Sequence, residues 1–433
     1  MVRLKIEDAD CYKYERIIRS FYAALLRYVY TQKRRSTLPF TIKENISWVG
    51  KVDWELRAFH GQEYSTHRGS SYNSYLVRDK KIALIDTVWG TFSHEFVARL
   101  KREISLDEID FVIANHAEPD HSGALPELMR HIPEAPIYCT SKGLDSLTGH
   151  YHQDWNFQVV KTGDTLSLGS KELVFIEAPM LHWPDSMMCY LTGDNILFSN
   201  DAFGQHIATE LMYNDLVDQA ELFQEAIKYY ANILTPFSKL VDKKIKDVLA
   251  LNVPVDMICP SHGVIWRDDP LQIVKKYVEW ANNYSENQIT VAYDTMWNGT
   301  RRMAEAIAHG IAAADSDVTV KLFNIARSDK SDLITEIFKS KAVLVGSPTV
   351  NKGILSAAAA ILEEMKGLRF QNKKAAAFGC YGWSGEAIAV ISERLKEGGF
   401  QVLNDGIMEK WNPNSKGIDN CIRFGNDVAL ATR

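Results

Sequence analysis

The chain has 433 residues, room for about two or three domains of ordinary size, and its 46% hydrophobic and 24% charged content is that of a globular protein. A net charge of -6 argues against a general affinity for nucleic acid or anionic membranes. The six cysteines (Cys11, Cys139, Cys189, Cys259, Cys380 and Cys421) include no CxxC pair, which argues against a disulfide framework, a zinc ribbon or an iron–sulfur centre and suits a reducing cytoplasm.

The N-terminus lacks the apolar core and cleavage site of a secretory signal, and no apolar run is long enough to span a bilayer. From Tyr12 to Tyr30, Ile17, Ile18, Phe21, Tyr22, Leu25, Leu26 and Val29 recur at helical spacing, with Arg16, Arg19, Arg27 and the run Lys33–Arg35 around them. This reads as an amphipathic helix, packed on the body or a partner subunit, or docked on a membrane surface. Residues 1–42 are set apart as an extension.

Next come strand-like runs, "SYNSYLV" and "KIALIDTV", in a region of mixed strands and helices. "FVIAN" (Phe111–Asn115) reads as a buried strand, and "HAEPDH" follows at its end. That loop brings four candidate metal ligands together: His116, Glu118, Asp120 and His121. In an extended segment alternate residues share a face, so His116, Glu118 and Asp120 would converge with His121 turned aside. The layout suits two adjacent metals, one served by His116 and Glu118, the other by Asp120 and His121. Ser122 is a plausible cap for the helix expected in "SGALPELM". Three further candidates, His182, Asp201 and His262, each follow an apolar run. Taken singly, a histidine at a strand end is commonly structural, and an aspartate beside a glycine turn is commonly a turn residue.

The polar stretch "NNYSENQ" (Asn282–Gln288) marks a boundary. Beyond it strands and helices alternate regularly. "ITVAY" precedes a helix near Thr300–Ala314, "VTVKLFN" one near Ser331–Lys339, "KAVLVGS" one near Ile354–Lys366, and "AAAFG" one near Gly385–Glu397. This pattern predicts a parallel sheet with helices on both faces. Three loops, "DTMWNGT" (Asp294–Thr300), "GSPTVNKGI" (Gly346–Ile354) and "GCYGWSGE" (Gly379–Glu386), fall beyond the carboxyl ends of its strands, where doubly wound sheets bind ligands.

The HxExDH loop followed by His182, Asp201 and His262 resembles the metallo-β-lactamase fold in its flavodiiron version, over nearly the whole chain after about Lys43. The superfamily's zinc hydrolases usually show HxHxDH. Here Glu118 replaces the second histidine, and a mixed histidine and carboxylate shell suits non-haem iron. The resemblance implies an αββα sandwich over residues 43–284. It also implies one iron held by His116, Glu118 and His182, a second by Asp120, His121 and His262, and a bridge of Asp201 and a solvent oxygen. His60, in "AFHGQEY", matches a nearby non-ligand histidine that donates a proton or a hydrogen bond to substrate.

Residues 285–433 resemble a short-chain flavodoxin with sheet order 2-1-3-4-5, which implies FMN. Thr295, Asn298, Gly299 and Thr300 would cradle the phosphate at a helix N-terminus, where the macrodipole favours an anion. Met296 and Trp297 complete that loop, and Trp297 stands where the usual loop has a second threonine. Ser347, Pro348, Thr349, Asn351 and Gly353 in the second loop, and Gly379, Tyr381, Gly382, Trp383, Ser384 and Gly385 in the third, would contact the flavin, with Trp383 stacking on the ring. The family then implies an oxidoreductase that reduces O2 to water and/or NO to N2O in a head-to-tail homodimer or tetramer. Without a rubredoxin-like cysteine set in this sequence, electrons are expected from an external donor, rubredoxin or a reduced deazaflavin.

Overall fold

The computed structural model describes residues 40–433. The helix expected between Tyr12 and Tyr30 lies outside them.

Between Phe40 and Ala281 two sheets stack face to face. The first has seven strands in the order Phe40–Lys43, Ile46–Trp48, Tyr75–Arg78, Ile82–Ile85, Phe111–Ile113, Ile137–Cys139 and Phe157–Val159. Its first four strands pair antiparallel and the rest join in parallel. The second has five, in the order Thr165–Ser167, Glu172–Glu177, Met187–Leu191, Ile196–Asn200 and Met257–Pro260, with only the last pair parallel.

Side-chain alternation explains the layers. Ala83 and Ile85 face inward and meet Phe175, Cys189, Phe198 and Cys259 between the sheets. Leu84, between them in sequence, points outward to Phe96, Leu100, Leu128 and Leu147, under helices Ser93–Glu103, Leu125–Met129 and Ser141–Tyr151. On the other side Leu197 and Ile258 meet Leu222, Val241 and Ile273, under helices Gln219–Tyr229, Ser238–Ala250 and Leu271–Ala281. The result is the αββα sandwich.

The second unit starts with strand Glu286–Tyr293, so the last residues of the polar stretch at 282–288 already pair in a sheet. Its strands run Thr319–Asn324, Glu286–Tyr293, Ser340–Gly346, Lys374–Tyr381, all parallel, in the order 2-1-3-4. The fifth position is shared by two short pieces, Gln401–Val402 and Ile407–Lys410, that pair with opposite ends of Lys374–Tyr381. The resemblance implies a fifth strand, but its residues, its break into two pieces and the helix Ser415–Ala431 were not foreseen. The strand is too short and polar to show an alternating pattern. The helix packs along helix Gly299–Ala314, and two glycines permit the close approach. A Cβ at Gly310 would lie 2.0 Å from the Ile422 carbonyl, and one at Gly425 2.1 Å from that of Ile307. The remaining helices are Lys330–Lys339, Ser356–Leu368 and Ala387–Glu397, each within two residues of its expected start.

Candidate functional site

Strand Phe111–Ile113 delivers the HAEPDH loop as expected, but the loop is not extended. Pro119, with its fixed φ, starts a one-turn helix, Pro119–Ser122. His121 is therefore not turned aside, and its Nε2 lies 3.0 Å from Asp201 Oδ1. Ser122 does not cap the next helix, which begins at Leu125 with Ala124 before it. Its hydroxyl instead donates to the Ala117 and Glu118 carbonyls at 2.7 and 3.0 Å, which fixes the turn that carries the ligands.

His182, Asp201 and His262 follow strands Glu172–Glu177, Ile196–Asn200 and Met257–Pro260, so four loops meet at one edge of the sandwich. All seven side chains are buried. They form two groups, His116, Glu118, His182 and Asp201, and Asp120, His121 and His262, each with candidate ligand atoms within 4.8 Å of one another. Asp201 faces both. Its Oδ2 lies 3.6 Å from His116 Nε2 and 3.4 Å from His182 Nε2. Its Oδ1 lies 3.0 Å from His121 Nε2 and 3.5 Å from His262 Nε2. Glu118 Oε2 closes the first group at 3.2 and 3.4 Å from His116 and His182, and Asp120 Oδ2 the second at 3.3 and 3.1 Å from His121 and His262.

Both carboxylate oxygens of Asp120 and of Asp201, and both ring nitrogens of His121, have no aligned hydrogen-bond partner although buried. Burying polar atoms unsatisfied is costly, so a converging set of this kind fits a pair of cations. Nitrogen and carboxylate donors without sulfur suit iron. Burial opposes charge on the imidazoles, yet the carboxylates outweigh it and push His121 and His182 up to about 9. Burial likewise opposes charge on Glu118 and Asp201, yet the imidazoles hold both well below the carboxylate range. The shell thus compensates its own charges, and a cation binding there displaces imidazole protons.

Supporting residues were missed in the sequence. Asp185 Oδ2 lies 2.9 Å from His116 Nδ1 and accepts from Ala117 N at 2.7 Å. It fixes which nitrogen of His116 faces the centre. Its only signal was an aspartate three residues after His182. Asp86 accepts from Asn115 N at 2.8 Å and from the Asn115 and Asn200 side chains at 3.0 and 3.4 Å, tying three strand ends together. The Ser71 carbonyl does for His262 Nδ1 at 2.7 Å what Asp185 does for His116. His60, on hairpin Ala58–Phe59/Tyr64–Ser65, reaches in from the rim with Nε2 2.9 Å from Glu118 Oε1.

A second site lies beyond strands Glu286–Tyr293, Ser340–Gly346 and Lys374–Tyr381. It is a cavity of about 780 Å³ lined from the first loop by Met296, Trp297 and Gly299, from the second by Pro348, Thr349 and Asn351, and from the third by Tyr381, Gly382, Trp383 and Ser384. Val350, Lys352, Cys380, Trp411 and Asn412 also line it and were not foreseen. Trp411 and Asn412 follow the broken fifth strand.

The other expected residues do not line the cavity. Asn298 has φ 63° and opens helix Gly299–Ala314. Thr300 is buried with Oγ1 3.4 Å from Cys380 Sγ. Ser347 Oγ is spent within its loop, accepting from Leu355 N at 3.0 Å. Gly353 pairs with Val350, and Gly385 sits against Met408 Sδ. Gly379 serves strand packing, since a Cβ there would lie 2.0 Å from the Ser347 carbonyl.

Thr295 Oγ1 is buried without a partner at the start of the first loop, next to the helix N-terminus. An orphaned hydroxyl beside free amides fits a phosphate. The volume falls within the range of about 300–1,000 Å³ usual for cofactor sites, and the rim is aromatic, with Trp297 84% and Trp383 88% exposed. Among the described residues no helix is long and apolar enough to cross a membrane.

Comparison with known proteins covers both units of the chain. The model of the ODP family beta lactamase matches residues 71–263, and that of flavodoxin matches residues 291–425. A curated relative, the anaerobic nitric oxide reductase flavorubredoxin of Klebsiella pneumoniae, is 57% identical over 394 residues, covering 90% of this chain and 82% of the relative. Among solved structures, the rubredoxin oxygen:oxidoreductase of Desulfovibrio gigas is similar with a TM-score of 0.88 at 38% identity, covering 91% of this chain and 98% of that one. A flavodiiron protein from Giardia intestinalis gives 0.87 at 34%, covering 91% and 96%.

Proposed function

This chain belongs to the flavodiiron family of oxidoreductases, with FMN and two iron ions as its cofactors, and we propose that it passes electrons from the flavin to the metal centre to reduce NO to N2O, with O2 as a second substrate reduced to water. The observation that carries the reading is the complete double shell around Asp201 in the same chain as a flavin-sized cavity. Two NO and two electrons with two protons give N2O and one water. One O2 takes four electrons and four protons to give two waters.

In this reading His116, Glu118 and His182 would hold one iron, and Asp120, His121 and His262 the other, with Asp201, which faces both groups, serving both. Thr295, Asn298, Gly299 and Thr300 serve the FMN phosphate, and the loops of Pro348 and Trp383 flank the ring. When bound, the flavin exchanges electrons in pairs or singly, and the irons act as redox centres and Lewis acids. The chain supplies the rest. Buried ligands keep bulk water from the centre, and the arrangement around Asp201 holds reacting molecules together, which removes much of the entropic cost of an encounter. His60 Nε2, at the rim beside Glu118 Oε1, is placed to give a proton or a hydrogen bond to bound substrate.

The proposal extends to partners. The donor is a separate rubredoxin, or alternatively a reduced deazaflavin, in the cytoplasm. The active form is a head-to-tail homodimer or a tetramer in which the exposed Trp297 and Trp383 rim of one subunit meets the metal centre of the next. Residues 43–284 and 285–433 are two of its functional divisions, and strand Phe40–Lys43 joins the first of them rather than the extension expected over residues 1–42.

The test is gas consumption by anaerobically prepared, FMN- and iron-replete protein with a reduced rubredoxin system, NO and O2 being supplied in separate vessels. Many turnovers with NO are expected. Consumption of neither gas would sink the reading.

A further inference from the structure

The hairpin that carries His60 touches both halves of the metal centre. His60 Nε2 lies 2.9 Å from Glu118 Oε1, and the ring of Phe59 lies 5.8 Å from that of His262. Its strands, Ala58–Phe59 and Tyr64–Ser65, have two residues each, and an isolated hairpin of that size does not hold a position unaided.

Its base is held by the flavin-binding unit. Ser65 N donates to Ser331 Oγ at 3.1 Å, and Ser65 Oγ donates to Asp329 Oδ1 at 2.7 Å. Ser331 Oγ donates in turn to the Glu63 carbonyl at 3.4 Å, and the Lys330 ammonium pairs with the Glu63 carboxylate. Asp329 also caps helix Lys330–Lys339, accepting from Asp332 N at 2.9 Å, so the hairpin is tied to the first turn of that helix. Lys228 seals the seam from below. It is 1% exposed, and its Nζ donates to Ser65 Oγ at 2.9 Å and to Asp332 Oδ1 at 2.6 Å. A buried ammonium must keep such partners, which makes the junction costly to open.

We infer that the first turn of helix Lys330–Lys339 is a clamp through which the flavin-binding unit sets the position of the hairpin, and with it His60, over the metal centre. Ser65, Asp329 and Lys330 are positioning residues that act through His60. The effect on turnover rests on the reading of His60 and the metal centre given above. The clamp itself rests on the contacts just described.

The test uses full-length holoprotein carrying Ser65→Ala with Lys330→Met, alone and combined with His60→Ala. Amide exchange in residues 58–65 is expected to rise about tenfold, while helix Lys330–Lys339 and the sandwich strands keep wild-type protection. Turnover is expected to fall, and adding His60→Ala should slow the enzyme no further than His60→Ala does alone, because both changes remove one contribution. Ser65→Thr, which keeps the hydroxyl, should restore protection. Wild-type exchange in the hairpin of the Ser65→Ala/Lys330→Met variant, or rates that fall by the product of the separate losses, would overturn the clamp. If His60→Ala alone turns over normally, the catalytic reading of His60 fails, and the exchange rates still decide the clamp.

Discussion

The metal centre and the flavin cradle both sit in loops beyond the carboxyl ends of strands, yet they are made of different atoms. The metal centre is built from ionisable side chains on four loops, all buried, around Asp201. The cradle is built largely from backbone, glycines and exposed aromatics at a helix N-terminus. The first depends on residue identity, because a missing charge leaves its neighbours uncompensated in a low dielectric. The second depends on chain path, so single side chains there should matter less.

That contrast can be broken most directly at Asp201. Asp201→Ala removes the one carboxylate that faces both groups. Iron content is expected to fall below about one tenth of wild type, with FMN content unchanged and turnover lost. Metal and flavin analysis on the same sample checks this. Iron retained at wild-type level would show that the two groups are independent sites.

Asp185→Asn should act in the same direction and less strongly. The amide keeps an acceptor near His116 Nδ1 but loses the charge that fixes the ring. A drop of about 10- to 100-fold in iron affinity is expected, read by competition with a chelator. Tm should change little relative to Asp201→Ala.

Thr295→Ala tests the other side of the comparison. Its hydroxyl is the buried side-chain oxygen left orphaned in the first flavin loop. A hydrogen bond to a charged group contributes about 1.5–3 kcal/mol, so FMN affinity should fall by about 12- to 150-fold, with iron content unchanged. An unchanged FMN titration would mean that the helix amides alone hold the phosphate.

The same contrast explains what was legible in the sequence. Each of the seven candidate ligands follows an apolar strand and differs chemically from its surroundings, so all seven could be picked out as candidates, and the fold brings them together. The local path was not. Pro119 converts an extended run into a helical turn, and a strand periodicity applied to that run turned His121 the wrong way. Asp185 and Asp86 escaped because an aspartate near a turn looks the same whether it supports a ligand or the turn itself. In the cradle the three expected loops meet at one cavity, but which residues line it depends on backbone direction. Ser347, Gly353, Gly379 and Gly385 therefore do not line it. Trp411 and Asn412 were missed because the broken strand before them carries no alternating pattern.

Trp297 offers the smallest effect and the sharpest use of the contrast. It stands where the related loop carries a hydroxyl, and at 84% exposure its ring is held by little of this chain. Trp297→Thr gives up an aromatic face on the cavity rim and gains a donor near the helix N-terminus. The two changes oppose each other, since a stacked aromatic contributes about 0.5–1.5 kcal/mol and a net hydrogen bond about the same. FMN affinity should therefore move by no more than about fivefold in the isolated subunit, measured by fluorescence titration. If the exposed ring instead meets a neighbouring subunit, as in the proposed head-to-tail arrangement, the same variant should weaken self-association while flavin binding stays nearly constant. Sedimentation at matched FMN occupancy separates the two roles. Weakened flavin binding with unchanged assembly would place Trp297 with the residues whose identity matters, and would erode the distinction between a cradle made of backbone and a centre made of side chains.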